Sequence, residues 1–212
     1  MKKLIAVAFV LGLCASTYGQ GTATKFMLFD TAILGSMQSD ETTVTADSGA
    51  LGDVGYWMFQ TYGSTSLGND KGEIYLAHVG FGCFVYDGLS INLEAVGGGF
   101  RASDRGLDDG HTSGAIGLDL LFRWHFYRDD RWSVYLDCGG GLLQADTSFP
   151  ANGTHFNFTP QAGIGVTCRF TDRMYVMTGT RWHHVSNAGK NSSNENPGYD
   201  APMIYGGILF AF

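Results

Sequence analysis

In Arg181-Trp182-His183-His184-Val185-Ser186-Asn187-Ala188-Gly189, a histidine and a serine lie two residues apart, where an alternating apolar segment runs into a polar loop. Residues i and i+2 of a strand point to the same face, so His184 and Ser186 stand side by side. Serine is a poor nucleophile until an imidazole accepts its proton. A carboxylate on the other ring nitrogen fixes the tautomer and stabilises the imidazolium. The loop ends in Asn196-Pro197-Gly198-Tyr199-Asp200, and Asp200 offers that carboxylate. Asn187 carries an amide able to donate to the oxyanion of a tetrahedral intermediate. The chemistry these groups suit is ester hydrolysis. A bare His-x-Ser is common by chance, so its weight depends on the element that presents it.

The chain's beginning bears on compartment. Lys2 and Lys3 precede an apolar run from Leu4 to about Ala15, followed by small and polar residues through Gly19. This is the pattern of a secretory signal peptide over 1–19, too short to span a bilayer as a helix, which takes ~20 residues. Without Lys2 and Lys3, 11 basic residues face 20 acidic ones, a balance of −9 that argues against nucleic acid as partner. Cys83, Cys138 and Cys168 then remain, an odd number with neither metal-ligand spacing nor a disulfide framework. His78, His111, His125 and His155 are equally scattered. No metal and no cofactor is expected. Residues 20–50 carry no assignable role.

From Leu51 onward, alternating apolar segments are separated in turn by very short and longer polar connections. Strands are expected at about 52–64, 72–86, 89–101, 113–127, 131–145, 154–170, 174–186 and 202–212. The short connections fall at Asp87-Gly88, 128–130 and 171–173. An Asp-Gly pair tolerates the positive φ of a two-residue hairpin turn. The longer ones fall at 65–71, 102–112, 146–153 and 187–201. All long loops therefore leave one end of the sheet, which is the plan of a transmembrane β-barrel of the bacterial outer membrane. Pro160 inside the sixth segment implies a bulge or break there.

In 113–127, Ile116, Leu118, Leu120, Phe122, Trp124 and Phe126 share one face, and Gly117, Asp119, Arg123, His125 and Tyr127 the other. A soluble barrel has the same period with the faces exchanged. Three features favour the membrane. Only 16% of residues are charged, aromatics gather at strand ends as in Trp124–Tyr127 and Trp132, and the chain finishes on the alternating Ile208-Leu209-Phe210-Ala211-Phe212. The expected fold is all-β, an eight-stranded antiparallel outer-membrane barrel over 51–212, or ten-stranded if 26–37 joins the sheet. A barrel of eight is just wide enough to be filled by side chains, so Glu94, Asp119, Asp137, Arg123, Arg169 and Arg181 should form a paired polar core.

On this plan Arg181 points inward, His183 with it, and the face of Trp182, His184 and Ser186 looks out at lipid near the long-loop end. Ionisable groups at membrane depth are functional by default. His184-Val185-Ser186-Asn187-Ala188, a polar loop, then Asn196 and an acid four residues on, resembles the outer-membrane lipid A 3-O-deacylase family (PagL-like, acyloxyacyl hydrolase-like). The resemblance implies a serine esterase that removes the 3-linked acyl chain of lipid A in the outer leaflet. It implies Ser186 as nucleophile, His184 as base and Asp200 as acid, with Asn187 the oxyanion donor and Asn196 a supporting residue. The family acid is usually glutamate, and the loop is about two residues longer here; Glu195 is a rival acid that falls before Asn196. The alternative is a non-enzymatic small barrel whose outer loops bind a partner. A site on the outer wall also leaves room for a neighbouring copy, so a homodimer is an open expectation.

Overall fold

Period-two alternation carries through every long strand. The computed structural model describes residues 25–26, 51–67, 72–102, 112–149, 153–189 and 198–212. The strands are β1 (Lys25–Phe26), β2 (Trp57–Ser66), β3 (Gly72–Tyr86), β4 (Leu89–Ala102), β5 (Thr112–Arg128), β6 (Trp132–Phe149), β7 (Thr154–Phe158), β8 (Gln161–Arg169), β9 (Met174–Val185) and β10 (Tyr199–Ala211). Neighbours pair antiparallel in chain order, and β10 returns to pair with β2, so the sheet closes. β7 and β8 are halves of one barrel strand, and the closed barrel has eight. β1 adds only a two-residue pairing to Tyr127 and Arg128. The signal peptide expected over 1–19, and all of 20–50 except these residues, lie outside the described residues.

The turn at Asp87-Gly88 is the two-residue hairpin expected, with Gly88 at φ 74, a conformation that needs no Cβ. Pro160 interrupts the ladder without slipping it. Leu142 opposes Phe158 above the break and Cys138 opposes Ala162 below it, the same register on both sides. The expected break is therefore a missing donor and not a bulge.

The faces settle the solvent. Ile116 is 70% exposed and Leu93 58%, while Arg123 and Glu94 are 0% exposed. A wall of large apolar side chains around sealed charges is the arrangement of a barrel in lipid. Inside, three layers stack along the axis. Near the long-loop end lie Ile74, Phe100, Leu143, Phe149, Tyr199 and Met203. Near the short-turn end lie Met58, Phe84, Tyr135, Met177, Tyr205 and Leu209. Between them, Arg181 and Arg123 both reach Asp137, at 2.7 and 3.4 Å, and Gln60 links Arg123 to Glu94 through bonds of 2.7 and 2.6 Å. Arg169 departs from the expected core. It lies at the last residue of β8 and is exposed at the short-turn mouth, where the strand has left the sealed interior.

Candidate active site

β9 and β10 form the last hairpin, and their register sets the site. Asp200 stands directly opposite His184. The backbone N–H of His184 turns the other way and donates to the Pro160 carbonyl at 3.0 Å. His184 and Asp200 therefore face one another as a non-hydrogen-bonded pair, the geometry in which cross-strand side chains lie closer. The imidazole Nδ1 bonds Asp200 Oδ1 at 2.8 Å, with the His184 side chain 25% exposed and that of Asp200 58%. Donation from Nδ1 makes Nε2 the basic nitrogen.

The acid was expected at the end of a loop, ahead of a strand beginning at 202. β10 instead begins at Tyr199, so Asp200 is held by the ladder itself. Pro202 has no N–H, which argues against a strand interior. Its carbonyl accepts from Leu67, on the β2 side, so the missing donor also faces β2 where that strand ends. The ladder to β9 is untouched.

Ser186 follows on the outward parity of β9, one residue past the strand. It exchanges both backbone bonds with Phe158, N–H to Phe158 O at 3.1 Å and O from Phe158 N–H at 2.7 Å. It is only 8% exposed, more covered than a lipid-facing position alone suggests. His184 and Ser186 thus share a face as expected. Among the described residues the imidazole's side-chain bond goes to Asp200, and none joins it to Ser186.

The chain then turns sharply. Asn187 is 2% exposed and its Oδ1 accepts from the Gly189 N–H at 2.9 Å, a side-chain-closed turn. Ala188 at φ 56 is the one non-glycine residue with positive φ among the described residues, and Gly189 follows at 72. Backbone strain of this kind is concentrated at functional sites. With Oδ1 occupied by the turn, the donor end of the Asn187 amide is Nδ2. Asn196 and the rival acid Glu195 lie outside the described residues.

Four neighbours to which the sequence assigns no role at the site also touch it. Pro160 holds the His184 backbone. Trp182 stacks beside the imidazole, with centroids 5.7 Å apart and planes at 22°. Phe158 flanks Ser186 and meets Phe156 edge-on at 5.5 Å. Gly198, at φ 55, brings its backbone so close that a Cβ would sit 3.4 Å from His184 Cε1. The Pro-Gly pair before β10 was the available signal for this last one. His183, by contrast, is 2% exposed inside the barrel, as its parity requires.

No curated protein matches this sequence. The crystal structure of the outer membrane enzyme PagL aligns with a TM-score of 0.54 at 16% identity, covering 73% of this chain and 98% of that one. The outer membrane protein OprG from Pseudomonas aeruginosa gives 0.52 at 9% identity, covering 75% and 96%. Both likenesses support the barrel fold. A family model described as lipid A 3-O-deacylase (PagL) matches residues 58–208, which takes in the strands that carry the hairpin site. The chain is an outer-membrane β-barrel and belongs to the lipid A 3-O-deacylase family.

Proposed function

We propose that Ser186, His184 and Asp200 carry out the deacylation as a nucleophile, base and acid on the outer wall of the barrel. The observation that carries this reading is the 2.8 Å bond between His184 Nδ1 and Asp200 Oδ1, made on the outward face beside Ser186. His184 Nε2 takes the Ser186 hydroxyl proton as Oγ attacks the carbonyl of the 3-linked acyl ester. The tetrahedral oxyanion is met by the Asn187 amide. Its collapse breaks the bond to the sugar oxygen, which receives the proton from the imidazolium and leaves as the free hydroxyl. Water, deprotonated by His184, then attacks the acyl-serine and releases the fatty acid. Asp200 keeps its charge throughout and stabilises the imidazolium.

The wall below supports a lipid substrate. A concavity of about 640 Å³ is lined by Gly63, Thr65, Ala77, Gly97, Ile204 and Gly206. Asp200 to Gly206 spans ~20 Å of strand, the reach of an acyl chain lying down the wall from the ester. Mass spectrometry of lipid A from cells expressing the chain tests the assignment. Loss of one 3-linked acyl unit is expected from the wild type. Variants Ser186→Ala and His184→Ala that insert normally should leave lipid A intact. Undiminished deacylation by either variant sinks the triad.

A further inference from the structure

The interior holds a second imidazole–carboxylate cluster with a different character. His78 on β3, Glu94 on β4 and Asp119 on β5 are 2%, 0% and 3% exposed, and each offers a ligand atom within 4.8 Å of the others. Glu94 and Asp119 are direct cross-strand partners, an unfavourable place for two like charges. Both buried guanidinium groups make their ion pairs with Asp137. Among the described residues, Asp119 has no ion pair; Thr159 Oγ1 donates to it at 3.1 Å and the Gln161 amide also lies against it, neither of them charged. Glu94 accepts from Gln60 and from the Tyr62 hydroxyl, neither of them charged.

The histidine points to what compensates them. Its Nε2 is tied to Ser64 Oγ at 2.9 Å, and its ring is stacked on Tyr62 at 4.2 Å and 7°, so its orientation is fixed. Nδ1 is buried with no hydrogen-bond partner, although Glu94 Oε2 lies 3.4 Å away. In the tautomer that donates Nε2–H to Ser64, the Nδ1 lone pair is turned toward two carboxylates, an arrangement that a cation between them satisfies. One nitrogen and two carboxylate oxygens, with a hydroxyl holding the far ring nitrogen, form the donor set and outer support of a divalent transition-metal site.

We propose that His78, Glu94 and Asp119 bind a divalent transition-metal cation that ties β3, β4 and β5 together inside the barrel. At metal–ligand distances of 2.0–2.2 Å the ligand atoms draw in to roughly 3.4 Å from one another. Apolar layers close the interior above and below this level. The cation is therefore taken up as the barrel folds and is retained afterwards.

The test folds the chain without residues 1–19 from urea into detergent micelles with cobalt(II), or with EDTA and cobalt(II) added only after folding. Folded protein is freed of loose metal, its cobalt counted by mass spectrometry and its visible absorption recorded. The expected result is about one cobalt per chain with ligand-field bands when the metal is present during folding, and at least a tenfold lower content when it comes later. Asp119→Asn, which keeps the side chain's shape, should fold and lose the metal; His78→Ala is the second variant. Ser186→Ala should load as the wild type does, which separates this site from the catalytic reading. Folded wild type with no stoichiometric cobalt under either order overturns the proposal, as does an Asp119→Asn variant that loads normally.

Discussion

His183 and His184 are adjacent in sequence and live in different surroundings. One is sealed among the polar side chains of the barrel interior, and the other stands on the wall, bonded to a carboxylate that is more than half exposed. The same contrast holds between regions. Inside, Arg123 and Arg181 are held by Asp137 and tie strands together. On the wall, a histidine and an acid are joined at a position where an apolar side chain would suit lipid better. A polar group inside a filled barrel is explained by its partners, whereas an ionisable one on the lipid face calls for a functional explanation.

The sharpest break of this comparison removes wall groups. Ser186→Ala and His184→Ala should each lower deacylase activity by ~10³-fold or more, with the unfolding midpoint close to wild type. Asp200→Asn should cost ~10²- to 10⁴-fold, because an amide can hold the ring in the wrong tautomer. Turnover of lipid A in mixed micelles and urea unfolding of the same samples measure both halves. A wall variant that loses stability in step with activity would erase the distinction.

The interior variant should do the reverse. Asp137→Asn removes the partner of both Arg123 and Arg181 and leaves two guanidinium groups buried without it. Breaking a buried pair in this way costs ~3–5 kcal/mol, read from the shift in urea unfolding. Activity per folded molecule should stay within a few-fold of wild type.

Gly198 lies between the two regimes, as backbone that touches the proposed catalytic histidine. Gly198→Ala places a side chain at φ 55, which costs ~1–2 kcal/mol, and brings it against the imidazole of His184. Activity should fall several-fold with Ser186, His184 and Asp200 all in place. An unchanged turnover would mean that the ring is positioned by Asp200 and Trp182 alone.

How much of this was legible follows from the same division. The facing of β5 and β9 was readable because period two sorts side chains with no knowledge of partners, and His184 and Ser186 inherit their face from it. Asp200 as a cross-strand partner was not, since Pro202 disguised the start of β10 and only the ladder reveals which way its missing donor points. Phe158 and Pro160 reach the site from another strand. His78, Glu94 and Asp119 come from three strands, so no spacing along the chain could join them, and the absence of ligand spacing excluded nothing. Arg169 was misread for the opposite reason: its parity is inward, but its strand ends at the mouth.

The smallest effect belongs to the short-turn end, where neither chemistry nor sealed charge is at stake. Asp129 Oδ1 accepts from the backbone N–H groups of Arg131 and Trp132 at 2.8 and 2.6 Å, and Oδ2 from the Tyr127 hydroxyl at 3.0 Å. Partial burial pushes its carboxyl up, but these three donors outweigh it and hold the group below its ordinary range. A carboxyl depressed in the folded state adds stability above its unfolded pKa, ~3.9, and loses it as the pH falls through the folded value. Solvent screens an exposed carboxylate, so Asp129→Ala should cost less than ~1 kcal/mol near pH 7. That difference from wild type should shrink as urea unfolding is repeated toward pH 3, because the unfolded wild-type chain takes up a proton there that the folded turn resists. A cost that persists unchanged at pH 3 would assign the effect to the shape of the turn and not to its charge.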